Sequence, residues 1–244
     1  MVRTRVLAVL VGCLLLGAGC QSLGSDRQTV TPAAVPAADG SGVVDADGVT
    51  DRHRAALENR SHTTQVTLAV HYENGTVGRV TDEFVVGSDD RYRYDRRQNS
   101  PFPEDGRNYS VWYNGTTERV REATANGSTV VVQSGSGLTD PSLAVFLERL
   151  LGEFELTVTE AATAERVTGE ADRARNIPLP IGLHDSRNAT VTATVRADIV
   201  RSLTVDLTAD YPAIDQSVRV EIEYTVEGVG ETDPSPPTWV EADG

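Results

Sequence analysis

The chain has 244 residues, and its 22 basic residues, all arginine, face 36 acidic ones for a net charge of −14. Such a balance excludes the broad basic surface that nucleic-acid binding requires. The absence of lysine excludes a P-loop, a Schiff-base enzyme and a Ser–Lys hydrolase.

The first five residues carry Arg3 and Arg5 and no acid, and Val6 to Leu16 follows as eleven residues that are apolar except for Gly12. These are the n-region and h-region of a secretory leader, too short to span a bilayer as a helix. Gly17-Ala18-Gly19 then leads into Cys20. This stretch resembles the bacterial and archaeal lipoprotein pattern, in which the leader is cut before a cysteine that receives lipid. Gly17 stands where that pattern usually has an aliphatic residue. Leu10-Val11-Gly12-Cys13 fits it locally but leaves an h-region of about five residues. The expectation is a leader over residues 1–19 and a lipid anchor at Cys20, on the extracellular face of the cell membrane. A conventional cut near Ala18 is the alternative. If the cut precedes Cys20, Cys13 leaves with the leader, and no thiol pair remains for a disulfide or a metal.

Removal of Arg3 and Arg5 leaves 20 arginines against 36 acids, a net charge of −16. Self-repulsion of that size matters in dilute buffer and largely vanishes in about 1 M salt, where the screening length is about 3 Å. An acidic, lysine-free chain with four phenylalanines and much Val, Ala and Thr resembles proteins of extremely halophilic archaea. A GC-rich genome also favours arginine over lysine, so both readings stand. Six of the eight asparagines, Asn59, Asn74, Asn108, Asn114, Asn126 and Asn188, head Asn-x-Ser/Thr sequons. Asn74, Asn114 and Asn126 precede glycine, as hairpin turns favour; the rest of the excess fits an N-glycosylated surface protein.

Residues 20–48 are polar and rich in Ala, Pro, Gly and Asp, and read as a flexible tether. "DADG" at Asp45 to Gly48 lacks the ligand spacing of a calcium loop and reads as a turn. Val49 to Arg60 reads as a short helix capped by Thr50. Alternation then places Val66, Leu68, Val70 and Tyr72 on one strand face, and continues through Val80 to Val86, Tyr92 with Tyr94, Tyr109 to Tyr113, and the Val130-Val131-Val132 run. "RYRYDRR" at Arg91 to Arg97 belongs to this meander, as a strand with a solvated, ion-paired face rather than a nucleic-acid or headgroup site. Leu143, Phe146, Leu147, Leu150, Leu151 and Phe154 form a helical stripe, with Asp140 as N-cap and Pro141 as first helical residue. After a mixed segment, strands resume over Val191 to Ala197, Leu203 to Leu207 and Val218 to Val226, and Trp239 anchors an extended tail. Residues 49–244 thus read as one α+β domain, a curved antiparallel β-sheet (half-barrel) whose apolar face is covered by helices.

No metalloprotease, dinucleotide or nucleophile-elbow motif is present, and His53, His62, His71 and His184 form no ligand pair at helical spacing. No enzymatic activity, cofactor or metal is expected. Lipobox, tether, helix, long meander, central amphipathic helix and further strands together resemble the layout of the LolA and LppX/LprG lipoprotein-carrier superfamily. "HTTQVTLAVHYENGTVGR", "VWYNGTTERVREATANGST" and "PPTWVEA" resemble a family of haloarchaeal lipoproteins that has no assigned activity. The superfamily resemblance implies a half-barrel holding acyl chains on an inner face formed here by Val66, Leu68, Val70, Phe84, Trp112, Phe146, Leu150 and Phe154. Two functions stay open: a membrane-anchored carrier of a lipid ligand, and a solid-cored envelope module that binds protein partners. The charge balance predicts salt dependence. Thermal unfolding should lose its cooperative transition below a few tenths molar salt, and a sharp transition in salt-free buffer would contradict the halophilic reading.

Overall fold

The alternation of β-branched and polar residues produces one long antiparallel sheet with two helices on a single face. The computed structural model describes residues 42–99, 108–124, 127–135, 137–161, 163–180 and 182–241. The leader, Cys20 and most of the tether lie outside them. The chain begins with β1 (Gly42–Val44) and α1 (Ala46–Leu57), then makes a meander of β2 (His62–His71), β3 (Val77–Val86), β4 (Tyr92–Asn99), β5 (Asn108–Tyr113), β6 (Thr117–Thr124) and β7 (Gly127–Ser134). Helix α2 (Ala144–Leu151) carries it to a second meander, β8 (Glu155–Ala161), β9 (Ala164–Arg173), β10 (His184–Arg196), β11 (Ile199–Tyr211) and β12 (Gln216–Glu227), before a last short turn of helix, α3 (Thr238–Glu241).

The twelve strands lie in the order β1-β8-β9-β10-β11-β12-β2-β3-β4-β5-β6-β7, in a curved sheet that does not close. Pairing of β12 with β2, from Arg219 opposite His71 to Glu227 opposite Thr63, joins the two meanders side by side. The chain must therefore pass from one outer region of the sheet to the other between β7 and β8, and α2 makes that passage. Asn-Gly turns close β2–β3 and β5–β6. Gly75 and Gly115 adopt φ of +82° and +95°, which glycine reaches without steric cost. The Asn74 and Asn114 side chains accept the Thr76 and Thr116 amides at 2.9 and 3.0 Å.

The core fills the face of β8–β12 and β2 beneath α1 and α2. Val191, Ala193, Val205, Leu207, Val220, Ile222, Tyr224 and Val70 are buried there under Leu147, Leu150 and Leu151. Gly169 lets this packing close, because a Cβ at that position would sit 2.8 Å from the Cβ of Phe154.

Five local readings of the sequence change. Helix α1 starts at Ala46 with Asp45 at its N-cap, so "DADG" is a helix start rather than a turn, and β1 lies within the stretch read as tether. Thr50 is inside that helix and bonds back to the Ala46 carbonyl at 3.1 Å. Helix α2 starts at Ala144, not Pro141, although Asp140 still accepts the Val145 amide at 2.8 Å. The hairpin β8–β9 occupies the mixed segment before Val191.

Leu150 is fully buried between α2 and the sheet. Leu150→Ala should cost about 2 to 5 kcal/mol of unfolding free energy, measured by chemical denaturation, whereas Val77→Ala on the exposed part of β3 should change stability by no more than about 0.5 kcal/mol.

Candidate functional site

Residues directly opposite one another in an antiparallel ladder share a face, so the register divides the side chains of the whole sheet into an inner set beneath the helices and an outer set. Val66, Leu68 and Val70 are inner, opposite Tyr224, Ile222 and Val220. Phe84 is inner, opposite Thr64. Phe146 stacks on Tyr224 with ring centroids 6.4 Å apart, and Leu150 and Phe154 lie in the core. Seven of the eight expected lining residues therefore share this face. Trp112 does not. It pairs with Arg93 and Arg119 on the outer face, where the C-terminal segment crosses and the Trp239 indole donates to Ser110 Oγ at 3.2 Å.

The inner face has two unlike halves. Beneath α1 and α2 it is filled, and Val70, Leu150 and Tyr224 expose no surface. Beyond them, on β3–β7, runs a row of register partners, one per strand: Phe84, Tyr94, Val111, Val120 and Val131. The first four are half-buried and Val131 is exposed. The Phe84 and Tyr94 rings stack at 4.6 Å.

Polar groups rim this row on both sides. On one side Asp82 accepts hydrogen bonds from the Tyr94 hydroxyl and from Arg96 Nε and Nη2, each at 2.8 Å. Burial, reinforced by the Asp82 charge, raises the Tyr94 pKa and keeps the phenol protonated. The bond to Asp82 raises that of Arg96. On the other side Glu118 accepts from the Tyr92 hydroxyl at 2.6 Å and from Gln133 Nε2 at 2.7 Å. The product is an apolar floor between two rims of internally paired polar groups. The "RYRYDRR" segment supplies both floor and rim. Its Arg93 pairs with Glu83 at 3.0 Å and Asp95 at 2.9 Å on the outer face.

A buried polar cluster pins the segment that leads into α2. Val200 N–H donates to His53 Nδ1 at 3.2 Å, which places the ring proton on Nε2, 3.0 Å from the Ser142 carbonyl. The Tyr224 hydroxyl lies 3.1 Å from the same Nε2 and donates to that carbonyl at 3.4 Å. His62 reaches the Pro141 carbonyl at 3.0 Å. The sequence reading did not join these histidines. The signal was present: Val49, His53 and Leu57 are spaced by four on a helix, and His62 shares strand parity with Thr64, Val66 and Leu68.

The remaining candidates are peripheral. His184 is exposed beside Asp185, and His71 faces Glu221 at 3.4 Å. Among the described residues, no group of three or more His, Cys, Asp and Glu side chains converges to hold a metal ion, and no helix is long and apolar enough to cross a membrane. A hollow of about 480 Å³ at the α2–β8 corner is ringed by Glu153, Glu155, Glu170 and Asp172, with Phe154 as its one large apolar side chain. Asn59, Asn74, Asn108, Asn114 and Asn188 are all exposed, and Asn126 lies outside the described residues.

An open antiparallel sheet carrying helices on one face defines the class of structure. Within it, the chain is similar to LprF from Mycobacterium bovis, with a TM-score of 0.40 at 12% identity over 80% of this chain and 99% of that one. It is also similar to a LolA superfamily protein from Nitrosomonas europaea, with a TM-score of 0.27 at 10% identity over 81% of this chain and 97% of that one. At TM-scores below 0.5 this likeness assigns neither ligand nor activity. No family model and no curated protein matches the chain.

Burial lowers the His53 pKa to about 4, with lesser help from the nearby His62 and Arg201, against the opposing Ser142 carbonyl and Asp140. As pH falls, the unfolded chain takes up this proton first, near the ordinary value of 6.5. Stability should be full above that value, fall by about 3 kcal/mol towards pH 4, and level off below. Denaturant titrations across this range should show the fall in the native chain and a shallower one in His53→Gln, whose amide does not titrate.

Proposed function

We propose that the chain is a membrane-anchored extracytoplasmic lipoprotein, fastened through Cys20, that binds the hydrocarbon part of a lipid along the open inner row of β3–β7. The observation that carries this reading is the row itself. Phe84, Tyr94, Val111, Val120 and Val131 make a continuous apolar floor on the face whose other half is filled by core. Four inter-strand spacings give the floor a length of about 19 Å, and each methylene shielded from water contributes about 0.8 kcal/mol. The filled core supports a ligand on the open row rather than in a cavity beneath α2. The tether gives the domain reach from its anchor, and exposed sequons suit glycosylation on the same side of the membrane.

Native mass spectrometry of the membrane-extracted full chain tests the proposal. The expected species begins at a lipid-modified Cys20 and carries a second, non-covalent lipid that denaturation removes. Val120→Asp should keep the covalent lipid and the thermal transition, lose the non-covalent lipid, and take up a fluorescent acyl probe at least tenfold more weakly. Unchanged probe uptake would remove the row as the site. A native chain with neither bound lipid nor probe uptake would favour the alternative, a solid-cored envelope module that binds proteins.

A further inference from the structure

The two edges of the sheet are unlike. Natural edge strands are blunted by brevity, charge, proline or a bulge, because an open edge pairs with other chains. Edge strand β1 is three residues long. Edge strand β7 has eight, pairs with β6 without a register shift, and contains neither charge nor proline. From Ala123 to Thr139 there are 17 consecutive uncharged residues, in a chain that is 24% charged. Val131 and Val132, neighbours that point to opposite faces, are 56% and 58% exposed.

We infer that β7 is a self-association edge, at which two copies of this chain pair antiparallel about Val131. The sequence of the strand is self-complementary in that arrangement. Ser128-Thr129-Val130-Val131-Val132-Gln133-Ser134 reads nearly the same in chemistry from either end. Two-fold pairing places Val131 on Val131, Val130 on Val132, Thr129 on Gln133 and Ser128 on Ser134. Apolar meets apolar and polar meets polar at every position, without a carboxylate in either strand. This matters for molecules that repel one another at a net charge of −14. Glu118 and Glu122 of β6 would stand three strand spacings, about 14 Å, from the β6 strand of the second copy. That separation exceeds the screening length of about 10 Å at 0.1 M salt.

A two-fold axis that continues a sheet through antiparallel edges is normal to the sheet, so both inner faces lie on the same side. The apolar row ends at Val131, the residue on the axis. Pairing therefore joins two rows into one that runs from Phe84 of one copy to Phe84 of the other. The pairing itself does not depend on whether the row binds lipid.

Cysteine cross-linking of the full chain in high salt tests both the interface and its register. Directly opposed residues in an antiparallel pair have Cα atoms about 4.5 or 5.5 Å apart, within the range of about 4.4 to 6.8 Å that a disulfide spans. On oxidation, Val131→Cys should give a disulfide-linked dimer well above the unsubstituted chain, which controls for Cys13 and Cys20. Ser128→Cys alone should not. An equal mixture of Ser128→Cys and Ser134→Cys chains should cross-link. Val131→Lys should shift sedimentation of the otherwise native chain from dimer to monomer. The inference is overturned if Val131→Cys forms no more dimer than the unsubstituted chain, if Ser128→Cys links as well as Val131→Cys, or if the native chain sediments as a monomer.

Discussion

The ladder between β2 and β12 is the constraint on which everything else depends. Its nine register pairs bring together residues about 150 positions apart, so a large loop-closure entropy opposes it and local turns cannot specify it. What specifies it is the inner face. Val70, Leu68 and Val66 meet Val220, Ile222 and Tyr224, and a slip of one residue would put one strand's three on the opposite face from the other's. Once these strands are joined, the first and second meanders extend away on opposite sides. The link from β7 to β8 then has to cross the sheet, and its leucine-rich side is buried by the crossing. His53 and His62 hold the start of that link by the Ser142 and Pro141 carbonyls.

Simple dimensions explain why one half of the inner face is filled and the other is open. Eleven spacings of about 4.8 Å make the sheet about 53 Å wide, while two helices side by side cover about 20 to 24 Å. That is four or five spacings, so the cover reaches five or six strands, and the residues follow that limit. Inner positions of β10, β11 and β12 are almost all Val, Ala, Leu, Ile or Tyr. On β3–β7 the inner rows alternate between apolar and polar, because Asp82, Arg96, Glu118 and Glu122 need water or partners. The C-terminal segment covers part of the outer face instead, and that is where Trp112 finds its burial.

Much of this was legible in the sequence where the period was clean. The alternation of β2, β10, β11 and β12 and the stripe of α2 identified elements and faces together. Trp112 shows where the method fails. Apolar residues at 109, 111, 112 and 113 occupy both parities of β5, so pattern alone could not choose a face, and only the pairing of Tyr94 with Val111 decides it. The β8–β9 hairpin was hidden because its inward positions mix Leu156, Val158 and Val167 with Glu165, Gly169 and Ala171, which blurs the alternation. The closing role of Gly169 depends on Phe154, fifteen residues away. The open row was hidden for a deeper reason: each strand contributes one residue to it, so it exists only in the register between strands.

The way the rims are satisfied bears on what such a row can recognise. Asp82 is taken up by Tyr94 and Arg96, and Glu118 by Tyr92 and Gln133. Both carboxylates are already engaged within the protein, Asp82 by three hydrogen bonds and Glu118 by two, which reduces what they offer a charged headgroup. Selectivity would then lie in the fit of a hydrocarbon chain to the floor rather than in the polar end. Physical conditions favour that division in a strongly acidic protein. Concentrated salt screens an ion pair between protein and headgroup, whereas excluded salts strengthen the burial of apolar surface. An apolar floor whose rims are hydrogen-bonded within the protein would therefore hold a hydrocarbon chain in concentrated salt as well as in dilute buffer.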